Sequence, residues 1–186
     1  MSEPQRGVSG APARPKPFRP LRFVAVFVAL YAVLHALYFA IPDRVLRQVV
    51  HYYAIVAASA GLIKLAAPQE PVRALAGTVE SPQASLSIVR GCDGAGVAFL
   101  LAAAVLAYPA RKRRKLLGVA GALALAYLLN QLRVVGLYFV AAYRHDWFDL
   151  LPNFLVPTFI IVVCCVAFAW WASGSAAVQP APARVR

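Results

Sequence analysis

Acidic residues are scarce in this chain: Asp and Glu together number 7 in 186 residues, against 19 Lys and Arg, leaving a net charge of +12. Charged residues of either sign reach only 14%, where ordinary soluble domains hold about 25%. Hydrophobic residues fill the gap at 61%, more apolar surface than a soluble chain of this length can hide. Most soluble enzyme folds are thereby excluded, and so is disorder over most of the chain. Cysteine is also rare: Cys92, Cys164 and Cys165 are the three present, with no Cys-x-x-Cys pair. That count gives no disulfide framework and no zinc pattern, and no metal or cofactor is expected. Internal repeats are missing too, which argues against a small transporter built from duplicated halves.

What remains is an integral membrane protein. Its basic residues are grouped: Arg6, Arg14, Lys16, Arg19 and Arg22 near the start, the run Arg111-Lys112-Arg113-Arg114-Lys115, and Arg184 and Arg186 at the end. Each group borders a long apolar segment, the pattern of charge retained on the cytoplasmic side during insertion. The partner implied is the lipid bilayer, with no nucleic acid.

Apolar runs set the spans. Leu21 to Ile41 is long enough to cross a bilayer, as are Leu116 to Val140 and Phe154 to Ala172, while Gly94 to Tyr108 makes a short span. Residues 43–67 are interrupted by His51, Tyr52, Tyr53 and Lys64 and read as a span or an interfacial helix. The basic run and the N-terminal segment both belong inside, so an even number of crossings separates them. That places 43–67 on the outer side. Residues 68–91, with Pro68, Pro71, Gly77, Pro82 and the alternation Ser85-Leu86-Ser87-Ile88, read as an outer loop with short strand character. The expected fold is an all-α integral membrane protein with about four transmembrane helices, an interfacial helix and a strand-like outer loop. Its membrane domain covers 21–172, between disordered cytoplasmic tails at 1–20 and 173–186.

Helical rise brings three polar residues to one depth. Cys92 lies about 24 Å above the cytoplasmic end of its span, Arg133 about 26 Å above Leu116, and Asn153 about 27 Å above Trp171. All three reach the outer mouth of the bundle. Cys92 at a helix N-terminus gains from unpaired N–H groups and the dipole, which favour a thiolate. Arg133 within an apolar helix is costly and marks a candidate functional position. Taken singly, Arg133 also reads as a snorkelling side chain and Cys92 as a small interfacial residue.

The stretch Val89-Arg90-Gly91-Cys92-Asp93-Gly94 resembles the Cys-Ser-Gly motif of the exosortase/archaeosortase family. Leu129-Asn130-Gln131-Leu132-Arg133-Val134-Val135 resembles that family's Asn-x-x-Arg motif. Pro109 with the basic run, the Trp147-to-Leu150 loop before the last span, and Gly77-Thr78-Val79 are similar as well. Together the resemblance spans roughly residues 75–170, in a chain the size of the short, type H exosortases.

This resemblance implies a membrane-embedded cysteine transpeptidase of the bacterial inner (cytoplasmic) membrane, with its site on the outer, periplasmic side. Its substrates would be membrane-anchored proteins carrying a C-terminal sorting signal: a short motif such as Pro-Glu-Pro, a transmembrane helix and a basic tail. Cys92 is implied as the nucleophile that forms a thioester, and Arg133 as proton donor or oxyanion stabiliser. The acceptor would be an envelope lipid or glycan component. Asp93 stands where the motif has Ser and sets a negative charge beside the thiol. At the start of the last span, where the family carries His, Asn153 is the nearest polar residue, and His145 lies in the preceding loop.

Overall fold

The computed structural model describes residues 19–75, 77–143 and 155–176. Helix α1 (Pro20–Phe39) starts on a proline, which has no N–H to leave unpaired in the first turn. One face of α1 carries an aromatic ladder at four-residue spacing. Phe23 stacks on Phe27, Phe27 on Tyr31, and Tyr31 on His35, with ring centroids 6.3, 6.1 and 4.2 Å apart. Across the interface, Phe99 meets the rings of His35 and Tyr38 edge-on. Phe99 belongs to α4 (Ala95–Ala107), the helix against which α1 packs.

Between them, α2 (Asp43–Val45), a π-helical stretch (Leu46–Val56) and α3 (Ala57–Ala66) run on as one rod, Asp43–Ala66. The π register is marked by the Ala57 N–H donating to the Tyr52 carbonyl, five residues back. Widening the helix brings residues five apart toward one face, and Leu46, His51 and Val56 are all buried. Strands β1 (Arg73–Leu75), β2 (Thr78–Glu80) and β3 (Ser85–Ser87) form an antiparallel sheet in order β1-β2-β3, with Val79 opposite Ala74 and Leu86. Helices α5 (Lys112–Tyr143) and α6 (Val156–Ala176) complete the bundle.

Among the described residues, four helices are long and apolar enough to cross a membrane: Pro20–Phe39, Asp43–Ala66, Lys112–Tyr143 and Val156–Ser175. Helix α4, with 13 residues, rises only about 20 Å. Packing separates these helices into two groups. The first half of α5 joins α4 and α6 around Leu101, Val105, Ala122, Ile160 and Cys164. The second half of α5, through Val134 and Tyr138, joins a different core made by Ile55, Val56, Ala60 and Ile63 with Val72, Val79 and Ile88 of the sheet segment. The sheet therefore packs along the Asp43–Ala66 rod, which is itself long and apolar enough to cross a membrane. Buried Glu70 fastens this layer to α5: it accepts hydrogen bonds from Tyr138 Oη at 3.0 Å and from Tyr143 Oη.

The chain is thus an all-α membrane protein with a small three-stranded sheet. Helix α6 continues to Ala176, past the expected end of the membrane domain at residue 172, with Ser173 and Ser175 donating back to the Trp170 and Trp171 carbonyls. Most of the two expected tails lies outside the described residues.

Candidate active site

Cys92 sits in the turn between β3 and α4, half-buried. Two glycines with positive φ shape this turn, Gly91 at 87° and Gly94 at 79°, values that residues with a Cβ avoid. The Cys92 N–H donates to the Val89 carbonyl at 3.0 Å, and α4 begins only at Ala95. The thiol therefore does not occupy the helix N-terminus expected for it. That place is taken by Asp93, whose Oδ1 accepts the Ala95 N–H at 3.2 Å.

Helix α5 supplies the opposing wall through the segment Asn130-Gln131-Leu132-Arg133, in which two side chains engage the Cys92–Gly94 turn and a third the Asp43–Ala66 rod. Arg133 Nη2 points at Cys92 Sγ, 3.8 Å away. Asn130, buried, packs directly on Gly94. Gln131, also buried, accepts from Ser59 Oγ at 2.5 Å and donates to the Ala54 carbonyl at 3.0 Å, locking the Asp43–Ala66 rod to α5. An unpaired buried amide costs about 1–3 kcal/mol, so this double bond specifies where the rod docks.

Asp93 turns away from Arg133, toward α1 and the rod. Its Oδ2 accepts from Tyr38 Oη and lies 3.1 Å from His51 Nε2. Both His51 and Asp93 are almost wholly shielded, with side-chain exposures of 1% and 4%. The carboxylate beside the nucleophile is therefore matched by three donors of its own, and the thiol faces the guanidinium. A second arginine secures the turn from outside: Arg90 Nε pairs with Asp43 Oδ1 at 2.7 Å, and its Nη1 donates to the Tyr38 carbonyl at 2.9 Å.

The structure brings Cys92 and Arg133 together, as the helical rise predicts. Asn153 and His145 lie outside the described residues. Asn130, named in the sequence as the first residue of the Asn-x-x-Arg segment, joins Cys92 and Arg133. Sequence reasoning missed the site neighbours His51 and Tyr38; of these, His51 was signalled by being a polar interruption in an apolar helix. Cys164 is buried within α6 and Cys165 faces outward from it, both remote from Cys92 in the packing. Among the described residues no group of three His, Cys, Asp or Glu side chains is placed to hold a metal ion. A cavity of about 110 Å³ opens between α5 and α6 with Arg133 at its wall, lined otherwise by apolar residues such as Leu132, Val156 and Phe159.

The arrangement can activate a thiol and stabilise an anion formed next to it. Residues 75–150, which carry the Cys92 turn and the Arg133 segment, match the family model described as transmembrane exosortase. No curated protein and no solved structure matches the chain.

Proposed function

We propose, on the premise that this chain belongs to the transmembrane exosortase family through residues 75–150, that it is a membrane-embedded cysteine transpeptidase. Its substrates are membrane-anchored proteins whose C-terminal signal combines a short motif, a transmembrane helix and a basic tail. The observation that carries this reading is the 3.8 Å approach of the Arg133 guanidinium to the Cys92 thiol, two residues separated by 41 positions and held on different elements. A cation facing a thiol favours the thiolate, the reactive form.

The Cys92 sulfur, giving up its proton, attacks the carbonyl carbon of the peptide bond near the signal motif. Negative charge then develops on the carbonyl oxygen. Arg133 and Asn130, one helical turn apart on α5, present donors to it; Arg133 Nε and Asn130 Nδ2 are both buried with no partner among the described residues. Donors fixed in a water-poor site are worth more than donors in solvent, because they need no reorganisation as charge appears. Collapse of the intermediate breaks the C–N bond and leaves a thioester on Cys92, which a second nucleophile, an envelope lipid or glycan amine or hydroxyl, then resolves. The apolar cavity between α5 and α6 suits a hydrophobic side chain of the substrate beside the scissile bond. The chain resides in the bacterial inner membrane with this site at its outer, periplasmic face.

The test is co-expression with a tagged protein ending in such a signal. Cys92→Ala should leave the substrate at full length, and wild-type enzyme should yield a hydroxylamine-sensitive adduct on Cys92. Processing that survives Cys92→Ala would remove the transpeptidase reading and favour a membrane scaffold.

A further inference from the structure

Three buried side-chain nitrogens have no hydrogen-bond partner among the described residues: His51 Nδ1, Asn130 Nδ2 and Arg133 Nε. They come from two helices, yet all three belong to residues that touch the Cys92–Gly94 turn. Arg133 meets Cys92, Asn130 meets Gly94, and His51 meets Asp93. The proposed oxyanion site uses the first two. The histidine is left over, and nothing in the fold requires it to be half-satisfied.

His51 is 1% exposed, and the π-helical register from Leu46 to Val56 turns it inward. Its Nε2 faces a carboxylate that is itself held by Tyr38 Oη and the Ala95 N–H. Such a contact makes Nε2 the donor, so that in the neutral ring the lone pair lies on Nδ1. A histidine with a purely structural role is expected to pair both nitrogens, since an orphaned buried nitrogen is costly. Here Asp93, the residue next to Cys92 in the chain, orients one nitrogen, and the other has no partner among the described residues. Nδ1 makes no bond to Cys92 Sγ in the structure; bonds of this kind commonly form only in the complex with substrate.

We infer that His51, oriented by Asp93, is the proton carrier for Cys92. The inference rests on the transpeptidase reading above. In the first step the S–H bond of Cys92 breaks and its proton moves to His51 Nδ1, as sulfur bonds to the carbonyl carbon. In the second the C–N bond breaks and the departing amine takes that proton back from Nδ1. Proton and charge balance without a further reactant. The role is carried by the Asp43–Ala66 rod.

The titratable and charged groups around His51 are Asp93 on the turn, which follows Cys92 in the chain, Tyr38 of α1 through Asp93, and Asp43 with Arg47 on its own rod. Arg90 stands beside Asp43, and Arg133 beside Cys92. The probe is chloroacetamide, which reads thiolate without needing a substrate, in full-length protein carrying Cys164→Ser and Cys165→Ser. His51→Gln should slow alkylation of Cys92 at pH 7 by about a hundredfold, the low end of what a lost proton acceptor costs. Asp93→Asn keeps the ring and loosens it, and should also slow alkylation; it decides the matter if His51→Gln fails to insert. An unchanged rate in His51→Gln, or in Asp93→Asn where the first is not obtained, overturns the inference. Processing of the tagged substrate separates the two ideas. Loss in Cys92→Ala with full retention in His51→Gln removes the proton carrier alone, whereas retention in Cys92→Ala removes the transpeptidase.

Discussion

Gly94 and Asn130 meet so closely across the turn that a Cβ on Gly94 would lie 2.8 Å from the Asn130 side chain. This contact couples the backbone beside Cys92 to the α5 segment that carries Arg133. The turn and its opposing wall therefore move together, and a change at Gly94 reads out at both.

Gly94→Ala is expected to fail twice over. Its φ of 79° costs a residue with a Cβ about 1–2 kcal/mol. Displacing Asn130 adds about 1–3 kcal/mol of overpacking. Processing should drop at least tenfold with a lowered midpoint in thermal unfolding in detergent. A variant with wild-type midpoint and activity would mean that Asn130 can withdraw freely.

Arg133→Lys should insert and fold yet lose processing by about a hundredfold. A guanidinium presents a planar fork of donors, and the single ammonium does not reproduce it. Loss of one donor to a developing anion typically costs a factor of about 100–1,000. Comparable processing in both proteins would reduce Arg133 to a snorkelling anchor.

Gln131→Leu tests the docking of the rod. The substitution strands Ser59 Oγ and the Ala54 carbonyl, and a loss of about 1–3 kcal/mol is expected. Limited proteolysis of the outer layer should accelerate, while α4 and α6, which share a separate core with the first half of α5, stay protected. Uniform protection in wild type and variant would show that the rod is held by its apolar core alone.

Topology is open to a direct check. Single cysteines at Lys112 and Gln83, in a background without the native three, should label from opposite sides: Gln83→Cys in intact cells, Lys112→Cys only after permeabilisation. Labelling of Lys112→Cys in intact cells would reverse the orientation.

The meeting of Cys92 and Arg133 was legible in the sequence because helical rise is nearly constant, so depths follow from counting. The outer strands were legible from the Ser85-Leu86-Ser87 alternation. His51 was not, because its inward direction depends on a π register. Leu46, His51 and Val56 stand five apart, a spacing that an ordinary helical repeat scatters around the axis. The surroundings of Asp93 were hidden for a related reason. Read along the chain it sets a negative charge beside the thiol; in the fold Tyr38 and His51 reach its carboxylate from distant elements, and the neighbouring Ala95 N–H completes the set.

Helix α5 has 32 residues and a length of about 48 Å, against an apolar layer of about 30 Å. The same unbroken rod bears the basic cluster at one end and Arg133 about 27 Å above Lys115. On the transpeptidase reading it works as a measuring stick: the height of Arg133 over the basic cluster is fixed in covalent geometry, whatever the thickness of the surrounding lipid. A substrate anchored by its own basic tail would be gauged against that length. An anchor one turn too long, about 5.4 Å, would carry its scissile bond past the reactive sulfur.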